Sequence, residues 1–200
     1  MKKILSLLVL TALICGITPS PSSGWRIFNR KHTRSGEENA QLFIEKVKKI
    51  DSYMANIFKS AVGWAVFPEI GKAGVGIGAA AGNGKVYSRT RGFIGTSTLF
   101  QASIGFQLGG QVYSEIIFFQ DEPTLERFMD GKLELGASVS AVLIDEGAAR
   151  EAGFRDGTMV FVLPRKGLMY EATLNGQKFT FKGTEDNSRS RLKKDTATEK

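Results

Sequence analysis

The chain has 200 residues, of which 42% are hydrophobic and 24% are charged, and its formal net charge is +7 at pH 7. Its one cysteine, Cys15, excludes an intrachain disulfide bond. Its one histidine, His32, precedes the region that is predicted to fold. A serine or cysteine triad that uses a histidine base is therefore excluded from that region.

The N-terminus has the pattern of a secretory signal. Lys2 and Lys3 precede the apolar run Ile4–Ile14, which is too short to span a bilayer because a spanning helix needs about 20 residues. We expect residues 1–22 to be signal-like and residues 23–34 to be a basic linker, so the protein should be exported. The alternative is that the apolar run is a buried helix of the mature fold.

Cys15 ends this apolar run, at the place where a bacterial lipoprotein carries its acylated cysteine. It is therefore a candidate lipid anchor. Ile14 precedes it, however, where lipoprotein signals have a small residue, and Ser20 and Ser22 offer an ordinary cleavage site. Both possibilities, an anchored and a released protein, stay open at this point.

Charge is distributed unevenly along the chain. Residues 183–200 are polar and charged without apolar periodicity and are predicted to be a disordered tail. The predicted domain, residues 35–182, is neutral, but residues 46–91 are mainly basic and residues 115–171 mainly acidic. A dipolar domain of this kind could orient on an anionic surface, although the charges could equally be ordinary solvated residues.

A helix is predicted at the start of the domain. Ser35 and Glu38 have capping-box spacing, and one apolar stripe follows at alternating steps of four and three residues: Phe43, Val47, Ile50, Met54, Ile57 and Ala61. We expect a helix over residues 37–60 with lysines on its other faces. It could dock on the core, lie on a membrane, or do both if its basic side stays exposed.

Strands are predicted after this helix. A short apolar run ends at Pro68, a glycine-rich strand covers 73–81, and Asn83-Gly84 predicts a hairpin turn into 85–91. Further strands are expected over 103–119, 135–144, 159–163, 168–174 and 177–181, with a short helix capped by Asp121. The predicted fold is α+β: an amphipathic helix on a strongly curved, mostly antiparallel sheet that curls or closes like a barrel.

The domain contains no convincing catalytic motif. The acidic pairs Asp121/Glu122 and Asp145/Glu146 are adjacent in sequence at element ends, where caps and solvated charges are common. Gly84-Lys85 is followed by Val86, where a phosphate-binding P-loop needs Ser or Thr. We therefore expect a protein that is not an enzyme and that uses no cofactor, no metal and no nucleic acid.

Several segments together resemble the SYLF lipid-binding domain family, and its exported bacterial branch in particular. They cover most of residues 40–182 and are Ala65-Val66-Phe67-Pro68, Lys72-Ala73-Gly74, the repeat Gly105-x-Gln107-x-Gly109-x-Gln111, Ile116 to Phe119, Leu135-Gly136, Val142 to Gly147, and Lys166-Gly167-Leu168-Met169. One departure is Tyr170-Glu171-Ala172-Thr173, where bacterial relatives tend to have glycines.

The resemblance implies binding to acidic phospholipids, and actin binding in some eukaryotic members. Because an exported bacterial protein would not meet actin in its own cell, we expect only a lipid partner: an anionic phospholipid membrane. The candidate lipid-binding residues are Lys46, Lys48, Lys49, Lys59 and Lys72. The alternative function is an envelope structural protein that self-associates through its glycine-rich strands.

Overall fold

The protein was analysed as a computed structural model, which describes residues 35–135, 139–166 and 176–184. The helices are α1 (Gly36–Ile50), α2 (Met54–Ser60), α3 (Glu122–Met129) and α4 (Ala148–Glu151). The strands are β1 (Gly63–Ser88), β2 (Gly92–Phe119), β3 (Ala141–Leu143), β4 (Thr158–Lys166) and β5 (Gln177–Gly183). Helices packed on a mostly antiparallel sheet confirm the predicted α+β class.

The predicted N-terminal helix is two helices. Its cap is as expected, since the Ser35 hydroxyl accepts a hydrogen bond from the Glu38 amide at 3.1 Å. A continuous helix over 37–60 is wrong, because α1 ends at Ile50 and the backbone of its C-cap residue, Asp51, is extended. The buried Asp51 carboxylate accepts hydrogen bonds from the Tyr53 amide (2.9 Å) and from the Ala149 amide of α4 (2.8 Å). These bonds stabilise the break that lets α2 change direction.

Strands β1 and β2 form one long antiparallel hairpin, and the predicted turn at Asn83-Gly84 is wrong. Asn83 and Gly84 lie within β1, opposite Thr98 and Ser97. The Thr98 hydroxyl donates to the Asn83 side-chain oxygen at 3.1 Å, so the asparagine forms a cross-strand pair. The turn lies instead at residues 89–91, where Gly92 supplies the positive φ (+71°) that a tight connection needs.

Proline does not end the first strand as predicted. Pro68 lies at a register shift between Phe67 and Ile70. β1 is at the edge of the sheet, with β2 as its partner in the order β1-β2-β4-β3. A proline is compatible with such a bulge on an edge strand, because no other strand among the described residues needs its missing N–H there.

The sheet is strongly bent. The Arg89 amide, just after β1, donates to the Val62 carbonyl, just before β1, at 2.8 Å. A Cβ atom on Gly84 would lie 2.6 Å from the Phe67 ring, and one on Gly82 would lie 2.7 Å from Ile70. The glycines thus let the two halves of β1 approach closely. Among the described residues the strand pairs form an open path, with β5 beside β2, so closure into a barrel stays a prediction.

Both faces of the sheet are covered. Side chains inside the bend form one core, which includes Phe67, Ile70, Leu99, Phe119, Phe128, Val162 and Phe179. The opposite face packs against α1 and α2 in a second core, which includes Phe43, Val47, Phe58, Val66, Ile116, Phe118 and Phe161. Alternate residues of β2 enter each core, which explains why Ile116–Phe119 is apolar at every position.

Of the other predicted elements, the α3 cap and two strands are confirmed, one strand is shorter than expected, and several segments lie outside the described residues. Asp121 caps α3, since its carboxylate accepts a hydrogen bond from the Thr124 amide at 2.8 Å. The strands at 159–163 and 177–181 are confirmed as β4 and β5. Of the strand predicted over 135–144, the described residues form only β3, and residues 136–138 lie outside the described part of the chain. The strand predicted at 168–174, the signal-like segment, the linker and the tail beyond residue 184 lie outside the described residues.

Candidate functional site

The apolar stripe of α1 is already buried in the protein. Ala40, Phe43, Ile44 and Val47 belong to the core between the helices and the sheet. An amphipathic helix that inserts into a membrane needs such a stripe to be free. α1 is therefore docked, and only its polar side remains available for another partner.

Four of the predicted lysines are exposed on the helical layer, and together they are called the lysine face: Lys46, Lys48 and Lys49 of α1 and Lys59 of α2. Lys46 and Lys49 point in similar directions, because three helical steps of about 100° place them about 60° apart. Lys48 lies on another side of the helix, with its ammonium 4.5 Å from the centre of the Phe58 ring of α2.

The structure does not place Lys72 with the other four. It lies in β1 opposite Gln111, and only 6% of its surface is exposed. Strand alternation puts it on the same side as Ile70, inside the bend. Cys15, the candidate anchor, lies outside the described residues.

The lysine face is available for an external anion. None of the ion pairs found between described residues uses its four lysines; those pairs are Arg165–Glu69, Arg91–Glu122 and Lys132–Asp130. Lys48 and Lys49 occupy the last turn of α1, where a positive charge interacts favourably with the helix dipole. Glu45 is also exposed on α1, so the surface is positive but mixed.

A polar groove of about 580 Å³ lies at the other end of α1. It is lined by Gly36 and Asn39 of α1 together with residues of β1 and β2: Pro68, Glu69, Asn83, Gly84, Lys85, Thr96, Ser97 and Thr98. The Lys85 ammonium lies 5.3 Å from the centre of the Phe93 ring. Sequence reasoning missed this groove, because Asn83 and Gly84 were assigned to a hairpin turn and Lys85 to the start of the return strand.

A second polar cluster is buried inside the bend. Glu115 of β2 is fully buried and accepts a hydrogen bond from the Gln177 amide group of β5 at 3.1 Å. Burial raises the pKa of Glu115 to about 7, although the Gln177 bond opposes that shift. Burial also raises the pKa of Tyr113, with a further contribution from the Glu115 charge. The one feature of the sequence that could have indicated this buried cluster is that Glu115 directly precedes the apolar run 116–119.

The predicted acidic pairs occupy turns and caps. Hydrogen bonds from the side chain and the backbone amide of Thr124 lower the pKa of Asp121, which suits its role as a cap. Asp145 accepts a hydrogen bond from the Glu146 amide at 2.8 Å. Among the described residues, no three His, Cys, Asp or Glu side chains are grouped as a metal site would need. In that same part of the chain, no helix has the length and apolar character needed to cross a membrane.

Comparison with known proteins agrees with the sequence resemblance. Residues 100–189 match the model of a family described as "Ysc84: Las17-binding protein actin regulator". This part of the chain is therefore similar to the Ysc84/SYLF family. A curated relative from Aeromonas veronii, "Beta cell expansion factor A", is 27% identical over 123 residues, which are 62% of this chain and 47% of that protein. The chain thus spans about half the length of the curated relative it matches.

The SYLF match and the lysine face lie in different parts of the chain. The matched residues begin within β2 and run through β5. The lysine face and Lys72 all precede residue 100. The family match therefore supports the domain type, and the role of the lysines must be argued from their own geometry.

Proposed function

We propose that the protein is a non-enzymatic module that binds the surface of anionic phospholipid membranes in the bacterial cell envelope. The observation that carries this proposal is the lysine face: four exposed lysines, engaged in none of the ion pairs of the described residues, on a helical layer whose apolar stripe is buried. Such a surface attracts anionic headgroups without inserting a helix. Binding should therefore be peripheral and sensitive to salt.

Lys46 and Lys49 are the centre of the proposed contact. Leu42 precedes Lys46 by one helical turn and is 39% exposed, so a partly exposed apolar side chain lies on the same side of α1 as Lys46 and Lys49. Each basic residue near an anionic surface contributes about 1 kcal/mol to binding. Lys48 points elsewhere and is held against Phe58, so we expect it to contribute less than Lys46 or Lys49.

Export and anchoring complete the proposal. We propose that the signal-like segment directs the chain out of the cytoplasm. Acylation of Cys15 would add a second membrane attachment, and one acyl chain alone binds only marginally. Cys15→Ser should then shift the protein from the membrane fraction to the soluble fraction. Unchanged fractionation would mean that Cys15 does not anchor the protein, which favours a cleaved signal and release into the periplasm.

Flotation with anionic vesicles tests the lysine face. The double variant Lys46→Glu/Lys49→Glu should lower binding tenfold or more, since two attractive charges of about 1 kcal/mol each become repulsive. The matched control is Lys178→Glu/Lys182→Glu, which makes the same net charge change at exposed positions of β5. An equal loss in both variants would mean that net charge, and not the lysine face, drives binding.

An alternative is an envelope structural protein that self-associates through its glycine-rich strands. The observation that favours it is the position of β1, a 26-residue strand at the edge of the sheet. Edge strands can pair with a strand of another chain. This function predicts concentration-dependent assembly in sedimentation experiments without lipid, whereas lipid docking predicts binding to vesicles that weakens with salt.

A further inference from the structure

The hydrogen bond between Glu115 and Gln177 joins two distant parts of β2. Gln177 lies in register with Gln101, and Gln101 and Glu115 are fourteen residues apart on the same strand. A straight strand of that length would separate them by about 46 Å. The bend brings the Gln177 amide group to 3.1 Å from the Glu115 carboxylate. This bond therefore fastens β5 and the first half of β2 to the second half of β2.

The Glu115 carboxyl lies in surroundings that favour its neutral form. Glu115 is 0% exposed and Gln177 is 1% exposed. The second carboxylate oxygen of Glu115 and the side-chain oxygen of Gln177 are buried, and neither has a hydrogen-bond partner. A buried carboxylate that accepts a single hydrogen bond is costly to ionise, because it has lost its hydration.

The residues paired with Glu115 on the neighbouring strands carry no charge. Its strand neighbours are Phe67 of β1 and Val162 of β4, and both are apolar. Tyr113 of β2 is the nearest titratable group on its own strand, and ionisation of both would be mutually unfavourable. The charged residues of α3 are Glu122 and Arg127, which are exposed, and Glu126, which is half-buried.

Lys72 of β1 shares the interior, four positions along the paired strands from Glu115. The two influences that set the pKa of Glu115 are burial, which raises it, and the Gln177 bond, which lowers it. Lys72 thus lies on the same inner side of the sheet, and burial is the larger influence on the pKa of Glu115.

We propose that Glu115 is a proton-binding site that controls the bend of the sheet. With its proton bound, the neutral carboxyl and Gln177 hold β5 and the two halves of β2 together. Loss of the proton leaves a fully buried charge inside the bend and favours states in which the halves separate and water enters. This proposal is independent of membrane binding.

The direction of the effect follows from the two pKa values of Glu115. The pKa is about 7 in the folded protein against a reference of 4.5, so an opened or unfolded chain releases this proton at lower pH. Opening is therefore favoured as pH rises between about 4.5 and 7, by about tenfold per pH unit. Above about pH 7 the carboxyl is ionised in both states, and the effect becomes constant.

Amide hydrogen exchange of the full-length protein tests the proposal. After correction for intrinsic exchange, protection of Gln177–Gly183 and of residues 113–117 should fall about tenfold per unit between pH 5 and 7 and then level off. In Glu115→Gln, which keeps the size and stays neutral, the same amides should show no such slope. The Tyr113→Phe variant should keep the wild-type slope.

Each of the other results would overturn the proposal. A flat wild-type profile means that no proton is linked to opening. The same slope in Glu115→Gln assigns the effect to another group, and loss of the slope in Tyr113→Phe assigns it to the phenol. A titration of 13C-labelled glutamate carboxyls in the wild-type protein provides a check that needs no variant. One carboxyl should titrate near pH 7, and the absence of such a signal contradicts the proposal.

Discussion

The helical layer and the interior of the bent sheet contain the same kinds of charged residue in opposite surroundings. Lys46 and Lys49 are exposed on α1, whereas Lys72 is almost buried in β1. Glu45 is exposed on α1, whereas Glu115 is fully buried. In the helical layer a charged side chain stays hydrated, so it lowers the stability of the fold very little and can bind an external partner. In the interior a charge must be neutralised or it opposes folding. Changes in the interior should therefore affect stability far more than equivalent changes on the helices.

The largest effect is expected from loss of an interior aromatic ring. Phe67 is 0% exposed, and its ring centre is 6.0 Å from that of Phe179. Phe67→Ala should lower the free energy of unfolding by about 3–5 kcal/mol, because it removes buried surface and leaves a cavity. Urea denaturation measures the change. Leu42→Ala, on the exposed side of α1, is the comparison and should stay within about 0.5 kcal/mol of the wild type.

The next effect should depend on pH. Glu115→Gln should raise the free energy of unfolding at pH 8 by about 3 kcal/mol, since the buried carboxyl is ionised there in the wild type. At pH 4.5 the two proteins should differ by less than about 0.5 kcal/mol, because the wild-type carboxyl is then protonated in the folded state and about half protonated in the unfolded state. Denaturation at the two pH values measures the difference. Glu45→Gln on α1 should show no comparable pH dependence, and a similar response in both variants would contradict the contrast between the regions.

A smaller loss is expected at the junction of α1, α2 and α4. Asp51→Ala removes the acceptor for the Tyr53 and Ala149 amides and should cost about 1–3 kcal/mol. Asp51→Asn keeps one side-chain oxygen and should cost less. Thermal unfolding of the two variants checks this order. Equal stability of Asp51→Ala and the wild type would show that these bonds do not hold the helical layer together.

The smallest effect on stability should come from the lysine face. Lys46→Glu/Lys49→Glu should change the free energy of unfolding by less than about 0.5 kcal/mol, because exposed charges contribute weakly. Denaturation of this variant beside Lys178→Glu/Lys182→Glu measures the change. A large loss of stability would mean that these lysines are structural, and reduced vesicle binding by the variant could then not be assigned to a lost contact.

Local sequence signals determined the ends of helices and several strands. Ser35 and Asp121 cap helices as their sequence context predicted, since a side-chain oxygen and an amide three residues later interact whatever the rest of the fold does. The apolar stripe of α1 and the strand at 159–163 were also predicted, because burial on one or both faces of an element produces a recognisable spacing of apolar residues in the sequence. The exposure of Lys46 and Lys49 followed from that same stripe.

Only the tertiary structure decided where the long strands bend and which polar residues they enclose. Asn83-Gly84 has the sequence of a turn but lies inside β1, since pairing with Thr98 and Ser97 and close packing on Phe67 outweigh the local preference for a turn. Lys72 and Glu115 look like surface residues in the sequence. They are buried because the glycine-rich strands fold back on themselves, and a contact such as Glu115 with Gln177, 62 residues apart, has no local signal.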